Sequence, residues 1–298
     1  MYAIFEIQGL VAPVFTPITD TGAVNLDVIQ KYAQYLTINR ITTVLVGGTT
    51  GEFASLNVQE RNEVLDAWLE AAKPLRMKVI AQVGGASLPD VLRMAEHAEN
   101  AKADAIMTLP ELYFKPKTTE HVVSYLDVVS RAAPSLPLLY YHFPMRTGVN
   151  VNAAEFFTTA AKRIPNFMGM KADLQVAVQV GSHLTDGRKV FIANHLLGPS
   201  ALLGHDSSIA TVNNMFPTLS KDIVVSTKIG DVTKARTLQE KLNLLVDGIM
   251  SNGDFVPSMK VAMEVITGVK VGPPRFPQKP CDELMQARIE EHLRTFGY

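Results

Sequence analysis

The sequence has a single cysteine, Cys281, among its 298 residues, so no disulfide can form within the chain. Disulfides persist in oxidising compartments, and their absence makes the reducing cytosol the expected location. The first residues, MYAIFEIQGL, carry no basic stretch before an apolar run, and no window reaches about 18 uninterrupted apolar residues. We therefore expect a cytoplasmic protein with no export signal and no membrane span.

An excess of either charge is also missing. Lys and Arg total 28 and Asp and Glu total 29, which gives a formal net charge of -1. Nucleic acids and anionic membranes attract strongly basic proteins, so neither is an expected partner. Small neutral or weakly anionic molecules remain as ligands.

Motifs for metals and nucleotides are absent as well. None of the seven histidines belongs to an HxH, HExxH or comparable ligand pair. The glycine-rich stretch GGTTGE has neither the spacing of a dinucleotide-binding loop nor the lysine of a phosphate-binding loop. The sequence thus predicts no metal site and no bound nucleotide cofactor.

The chain does contain a series of short apolar runs, separated by segments with helical periodicity. The runs predict strands at 9–15, 42–48, 78–84, 104–110, 136–143, 167–171, 189–194 and 208–212. Strands that are buried on both faces look continuously apolar, as a parallel sheet covered by helices requires. Eight strand–helix units in this length favour a closed (β/α)8 TIM barrel, and an open doubly wound sheet is the alternative.

The remaining segments predict helices and one extended stretch. Residues 58–72 place apolar side chains on one face, and a helix over 88–99 follows Ser87, a suitable N-cap. We assign residues 1–218 to the barrel and 219–298 to its last helix and a C-terminal helical extension, packed together as one structural unit. The stretch VKVGPPRFPQKPC carries four prolines and is expected to be extended surface chain.

Polar residues at the strand ends indicate where a site could lie, because active sites of such barrels form at the C-terminal ends of the strands. In GGTTGE, the hydroxyls of Thr49 and Thr50 can hold a carboxylate, or they can cap the next element of a tight turn. Tyr141 ends an apolar run, where it is either a core residue with a bonded hydroxyl or a group that relays protons.

Lys171 ends the apolar run FMGMK. A lysine is seldom buried without a partner, and burial favours the neutral amine, which is the nucleophile that condenses with a ketone. Alternatively, the strand ends there and the side chain reaches out to water. Asp173 lies two residues on, so it shares a face with Lys171 if the strand continues, and an ion pair would then keep the ammonium form. A turn directly after Lys171 would separate the two.

Three separated motifs together resemble one known family. GGTTGE, YYHFP followed by Thr147 and Gly148, and GMK occur in this order in the pyruvate-dependent class I aldolases, the family that contains N-acetylneuraminate lyase and dihydrodipicolinate synthase. The resemblance extends from GLVAPVFTPITDTGAVN to GPPRFP, and TTGE, the histidine of YYHFP and GPPRFP are more similar to the animal-type lyase branch.

This resemblance implies a role for each matching residue. Lys171 would form a Schiff base with pyruvate, Tyr141 would move protons at the bond that is made or broken, and Thr49 with Thr50 would grip the pyruvate carboxylate. The covalent pyruvate imine on Lys171 would need no metal or diffusible cofactor. The resemblance also implies a homo-oligomer, commonly a tetramer.

The residues expected around the rest of the substrate depart from the family pattern. Where sialic-acid lyases typically have Gly-x-Asp-Glu, this chain has Ile192, Ala193, Asn194 and His195. Asp173 replaces a usual Ser or Thr, and Thr211 replaces a usual serine. We include Asp173, Ile192, Asn194, His195 and Thr211 as substrate-binding candidates.

The resulting hypothesis is a carbon–carbon lyase that cleaves N-acetylneuraminate reversibly to N-acetylmannosamine and pyruvate. One alternative keeps the imine chemistry but uses a different 2-oxo acid or aldehyde, because the second half of the site is altered. An alternative from another class is a barrel that binds a small oxo acid or serves as a scaffold without turnover.

Overall fold

The computed structural model describes residues 5–298, and it confirms the predicted TIM barrel. Eight strands pair in sequence order and close on themselves, and every pair is parallel. The strands are β1 (Leu10–Pro13), β2 (Thr43–Val46), β3 (Lys78–Gln82), β4 (Ala105–Thr108), β5 (Leu138–Tyr141), β6 (Phe167–Ala172), β7 (Lys189–Ile192) and β8 (Ser208–Ile209).

Helices follow the strands and continue after the last one. Within residues 5–298 they are α1 (Asp27–Ile38), α2 (Val58–Leu75), α3 (Leu88–Asn100), α4 (Thr119–Ala132), α5 (Pro144–Thr147), α6 (Ala153–Arg163), α7 (Leu174–Val180), α8 (Leu197–Leu202), α9 (Val212–Met215), α10 (Pro217–Lys228), α11 (Val232–Met250), α12 (Phe255–Thr267) and α13 (Glu283–Thr295). Short 3₁₀ helices occupy Phe53–Ser55 and Gly181–His183. None of the helices in this part of the chain is both long and apolar enough to cross a membrane.

The apolar side chains divide into two clusters because strand residues alternate between faces. We call the side chains inside the barrel the inner cluster; it includes Leu45, Ile80 and Phe191. Their strand neighbours pack outward against the helices in a larger outer cluster. Both faces of each strand are therefore dry, which explains why the runs in the sequence are continuously apolar.

The start of two helices shows how local sequence sets their limits. Asn57 and Glu60 form a reciprocal capping box at the start of α2, each accepting the other's backbone N–H. Ser87 does occupy the N-cap position of α3, but its hydroxyl donates to Asp90 Oδ2 at 2.6 Å instead of accepting a backbone N–H. Ser87 is therefore the N-cap residue and α3 starts where predicted, although the hydroxyl makes no capping hydrogen bond.

The helices after β8 pack against the barrel and against one another. α10 contacts α8 and α11, while α12 contacts α9, α11 and α13. The proline-rich stretch 269–281 contains neither helix nor strand and leads to α13, as predicted. At the opposite end of the barrel, Phe5 and Ile7 belong to the inner cluster, and the Phe5 ring meets Phe191 edge-on at 6.3 Å.

Candidate active site

A cavity of about 380 Å³ opens at the C-terminal ends of the strands. Its lining combines residues that follow β2, β5, β6, β7 and β8 with residues of α11 and α12. Eight of the sequence-predicted site residues line it: Thr49, Thr50, Tyr141, Lys171, Asp173, Asn194, His195 and Thr211.

A β-bulge in β6 sets the direction of Lys171. Leu138 pairs with Phe167 and Leu139 with Gly169, so one extra residue enters β6 between them. Phe167 and Met170 both pack in the outer cluster, which an uninterrupted alternation would not allow. The bulge thus turns Lys171 toward the barrel interior, where its side chain is almost fully buried. Gly169 permits the bulge with φ of +139°, and an added Cβ would lie 1.9 Å from the carbonyl oxygen of Lys189.

Lys171, Tyr141 and Thr49 form a connected polar chain at the bottom of the cavity. The Nζ of Lys171 donates to the Oη of Tyr141 at 3.1 Å, and that oxygen also lies 3.0 Å from Thr49 Oγ1. The ring of Phe143 is parallel to that of Tyr141, with centroids 5.8 Å apart. The only hydrogen-bond partner of the Lys171 amine among the described residues is therefore a phenol.

Asp173 does not pair with Lys171. β6 ends at Ala172, and Asp173 occupies the N-cap position of α7 with an exposed side chain. Among residues 5–298, no carboxylate lies within 4.0 Å of the Lys171 amine. The chain turns directly after β6, and this turn separates Lys171 from Asp173.

The threonines of GGTTGE are bonded across the barrel mouth. Thr50 Oγ1 lies 2.8 Å from Thr211 Oγ1, on the far side of β1, and Thr49 is bonded to Tyr141. Neither hydroxyl caps the following 3₁₀ helix, whose N-cap position is Glu52. The hydroxyls therefore point into the cavity, where they can hold a carboxylate near Lys171.

Glu52, the last residue of GGTTGE, was missed by the sequence reasoning. It adopts a left-handed conformation with φ of +55°, and its fully buried carboxylate lies 2.6 Å from Lys260 Nζ in α12. The same carboxylate accepts from the backbone N–H of Arg275 at 2.7 Å and from Gln278 Nε2 at 2.9 Å.

Lys260 connects Glu52 to two further parts of the chain. Its Nζ also donates to the carbonyls of Thr16 at 3.1 Å and Pro273 at 2.9 Å. Burial lowers the pKa of Lys260, while the nearby Glu52 carboxylate opposes that effect. The pair ties the turn that carries Thr49 and Thr50 to α12 and to the proline-rich stretch. The co-occurrence of TTGE and GPPRFP was the available signal, but contact between them cannot be read from the sequence.

The residues that follow β7 line the cavity, but Ile192 does not. Ile192 is fully buried in the outer cluster, because strand alternation turns Phe191 into the barrel and Ile192 toward the helices. This corrects the prediction that Ile192 is a substrate-binding residue. Asn194 Oδ1 accepts from the backbone N–H of Leu196 at 3.1 Å. Burial lowers the pKa of His195, opposed by Asp247, which favours a neutral imidazole.

His142 lines the cavity, and the sequence reasoning did not select it. Its ring is buried, and Nδ1 has no hydrogen-bond partner among residues 5–298. Burial lowers the pKa of His142, and Asp173 opposes this shift. The histidine of YYHFP was visible as part of a motif, but its position on the cavity wall depends on how the chain turns after β5.

A TIM barrel with a buried lysine, bonded to a tyrosine at its C-terminal mouth and flanked by two threonines, has the arrangement of a class I aldolase. The sequence profile of the Dihydrodipicolinate synthetase family matches residues 6–295, and the chain belongs to that family. This confirms the resemblance seen in the sequence and identifies an enzyme of the carbon–carbon lyase class.

Named relatives are similar over nearly the whole chain. N-acetylneuraminate lyase of Rattus norvegicus is 28% identical, covering 98% of this chain and 93% of the relative. The Danio rerio lyase of the same name is 32% identical, covering 98% and 97%. Among solved structures, the N-acetylneuraminate lyase of Proteus mirabilis superposes with a TM-score of 0.91 at 26% identity, covering 98% of this chain and 99% of that one.

Proposed function

We propose that this protein is a class I aldolase that makes and breaks a carbon–carbon bond through a pyruvate imine on Lys171. The observation that supports this most directly is the buried amine of Lys171, 3.1 Å from the hydroxyl of Tyr141. A neutral amine attacks a ketone carbon, whereas a lysine paired with a carboxylate would be held as ammonium. Asp173 is exposed, and Lys171 has no such pair within the described part of the chain.

In this chemistry, the Lys171 amine adds to C2 of pyruvate and water leaves, which forms the imine. The hydroxyls of Thr49 and Thr50 hold the pyruvate carboxylate. In the cleavage direction, the 4-hydroxyl group of the substrate loses its proton to Tyr141 as the C3–C4 bond breaks, and the electron pair moves into the imine. Proton return to C3 and hydrolysis by water then release pyruvate. The covalent imine needs no metal or diffusible cofactor.

Two substrates are candidates. Reversible cleavage of N-acetylneuraminate to N-acetylmannosamine and pyruvate is supported by the names of the relatives. The same imine chemistry on a different 2-oxo acid or aldehyde is favoured by Asn194 and His195 and by Asp173, which replace the groups that sialic-acid lyases usually have. In either case, the ligands of this site are small molecules.

The proposal is tested by trapping the imine. The protein is incubated with pyruvate, reduced with borohydride, digested and examined by mass spectrometry. We expect a reduced pyruvyl adduct on the peptide that contains Lys171, and none on the peptide that contains Lys260. Lys260 is the internal control because it is also buried but is paired with Glu52.

Absence of an adduct on Lys171 would contradict the proposal. An adduct without cleavage of any substrate in a panel of 2-oxo acids would instead support the alternative of a non-catalytic oxo-acid-binding or scaffold barrel. In the Lys171→Ala variant, both the adduct and cleavage should disappear while the fold is retained.

Three further features belong to the same proposal. By family resemblance the protein is a homo-oligomer, and a tetramer is the expected form. The single cysteine supports a cytoplasmic location. We also treat the helices after residue 218 as part of one structural unit with the barrel, in agreement with the contacts of α10 and α12 described above.

A further inference from the structure

We propose that the part of the cavity beyond the imine accepts an aldehyde whose substituent is predominantly apolar, aromatic or branched aliphatic, and not a polyhydroxylated sugar. The inference rests on the proposed pyruvate imine at Lys171. It commits to the second of the two candidate substrates and names its chemical class.

The polar groups nearest the imine are already committed to pyruvate. Lys171 and Thr49 are bonded to Tyr141, and Thr50 is bonded to Thr211. In the proposed reaction, Thr49 and Thr50 hold the carboxylate, Lys171 binds C2 and Tyr141 transfers the proton. Recognition of the aldehyde must therefore come from the other lining residues.

Most of those other residues are apolar. One side is a surface that we call the apolar wall, formed by Val212, Val246, Met250, Phe255 and Met259. Val246 and Met250 are four residues apart in α11, as are Phe255 and Met259 in α12, so each pair shares one face of its helix. Across the cavity, Phe143 and Met145 extend the apolar lining from the end of β5.

The other polar groups suit few sugar hydroxyls. Asp173 is the one carboxylate among the lining residues of the described chain, and it is exposed, as is Arg146. Hydrogen bonds at such exposed positions compete with water and discriminate weakly between ligands. The side-chain oxygen of Asn194 is already bonded to Leu196 N–H. A polyol would therefore leave several of its hydroxyl groups against the apolar wall without partners, which lowers affinity.

The two histidines of the lining add few hydrogen bonds for sugar hydroxyls. His142 and His195 are kept neutral by burial, so each ring presents one donor and one acceptor. They can orient a single oxygen of the aldehyde, such as its carbonyl, but they do not replace a pair of carboxylates. The site thus combines the apolar wall with a small number of polar contacts, those of the two histidines.

Methionine contributes much of the apolar surface. Met145, Met250 and Met259 are unbranched and adapt to ligands of different shape. We therefore expect the site to accept several apolar aldehydes with similar efficiency, and not a single one.

The reaction balances without a further reactant. Tyr141 gives its proton to the water that leaves as the imine forms, and its phenolate oxygen then takes a proton from C3. The resulting enamine forms a bond from C3 to the aldehyde carbon. The aldehyde oxygen takes a proton from Tyr141 and becomes a hydroxyl group. Water then cleaves the imine, regenerates the Lys171 amine and releases a 4-hydroxy-2-oxo acid; the reverse sequence splits that acid into pyruvate and aldehyde.

The experiment compares aldehydes at saturating pyruvate. Benzaldehyde and isovaleraldehyde represent the apolar class, and N-acetylmannosamine and glyceraldehyde represent the polyhydroxylated class. An apolar pocket rejects added hydroxyl groups by roughly 10- to 100-fold, so we expect kcat/KM for the apolar pair to be higher by about that factor. Equal or higher kcat/KM for the sugar pair would overturn the inference.

A matched pair of variants locates the effect. Met250→Gln places an amide in the apolar wall and should lower kcat/KM for the apolar aldehydes by about tenfold, with pyruvate trapping on Lys171 unchanged. Leu244→Gln makes the same kind of change on an exposed residue of α11 and should leave both readouts as in the wild type. Equal effects of the two variants would count against the apolar wall. If Met250→Gln fails to fold, the comparison of aldehydes on the wild type still decides the matter.

The outcomes separate this inference from the proposed function. If borohydride traps no pyruvate on Lys171, the proposed function fails, and the inference fails with it. If pyruvate is trapped but the sugar aldehydes are preferred, the imine chemistry stands and only the apolar acceptor is refuted.

Discussion

Gly169 determines which way Lys171 points. Two residues before the lysine, it allows the bulge that brings Lys171 into the barrel, and its backbone lies against the Lys189 carbonyl with no room for a Cβ. The inward orientation of Lys171 thus requires a glycine at the first position of GMK. The motif was recognisable in the sequence, but the bulge was not, because it depends on pairing with β5.

Replacing this glycine should therefore affect stability and chemistry together. We expect Gly169→Ala to lower the free energy of unfolding by about 2–5 kcal/mol, from backbone strain plus the steric clash. Pyruvate trapping on Lys171 should fall as the bulge shifts. Urea denaturation and mass spectrometry measure the two effects.

Gly187→Ala is the control for backbone strain alone. Gly187 also has a positive φ, +75°, but no atom of residues 5–298 lies within 4 Å of an added Cβ. Its substitution should cost only about 1 kcal/mol and leave trapping intact. Similar losses in both variants would show that the contact with Lys189 is unimportant.

Ile192 shows the limit of residue-by-residue prediction from this sequence. The strand-end rule correctly led to a set of residues that line one cavity, because parallel strands end at the same rim. It could not tell whether Phe191 or Ile192 faces the barrel interior. Both faces of a barrel strand are apolar, so the sequence does not show which face is inside. Motif position alone placed Ile192 in the site, and strand geometry removes it.

At the scale of whole elements, the eight strands were predicted because each apolar run has glycine, proline or polar residues at its ends. The predicted ends extended too far where the chain turns early. The run 42–48 includes Gly47 and Gly48, which follow β2, and the run 208–212 reaches into the start of α9. Local composition cannot distinguish the last strand residue from an apolar residue of the next turn.

The Glu52–Lys260 pair joins two elements that the sequence kept apart. It fixes the turn after β2 against α12, so in the proposed reaction the binding of pyruvate by Thr49 and Thr50 would depend on a helix outside the barrel. Removing one partner leaves the other charge buried without compensation. We expect Lys260→Met to lower the free energy of unfolding by about 3–5 kcal/mol and to raise KM for pyruvate, as the turn with Thr49 and Thr50 loosens.

Lys228→Met is the matched control. Lys228 pairs with Asp206 at the same 2.6 Å, but both side chains are substantially exposed. Its loss should cost far less stability than the loss of Lys260 and leave KM unchanged, because water screens an exposed ion pair. Adding Glu52→Gln to Lys260→Met should recover part of the stability, since the uncompensated carboxylate is then gone. A Lys260 variant as stable as the Lys228 variant would contradict the structural importance of the buried pair.

For the molecule as a whole, the surface bears on the proposed oligomer. Tyr113 and Phe114, between β4 and α4, are 84% and 83% exposed, and their rings pack edge-to-face at 5.1 Å. Neighbouring exposed aromatic rings are common at protein interfaces. We expect sedimentation equilibrium to show a tetramer, and Tyr113→Ser with Phe114→Ser to shift it to smaller species.

Phe276→Ser is the comparison for this surface. Phe276 is 86% exposed in the proline-rich stretch. Its replacement should not change the sedimentation of the protein, because it removes the same kind of side chain away from the pair at 113 and 114. A monomer for the wild type, or equal effects of the two substitutions, would contradict the assignment of the interface.

The closed lower end of the barrel has a kinetic consequence. Within the described residues, the inner cluster fills the space beneath Lys171, and Phe5 with Ile7 covers the far end. The barrel is therefore closed at that end and does not form a channel. In the proposed reaction, pyruvate would be attached covalently at the bottom and the aldehyde would lie between it and the solvent. We therefore expect the aldehyde to depart first and pyruvate second in cleavage, and the order of arrival to be reversed in synthesis.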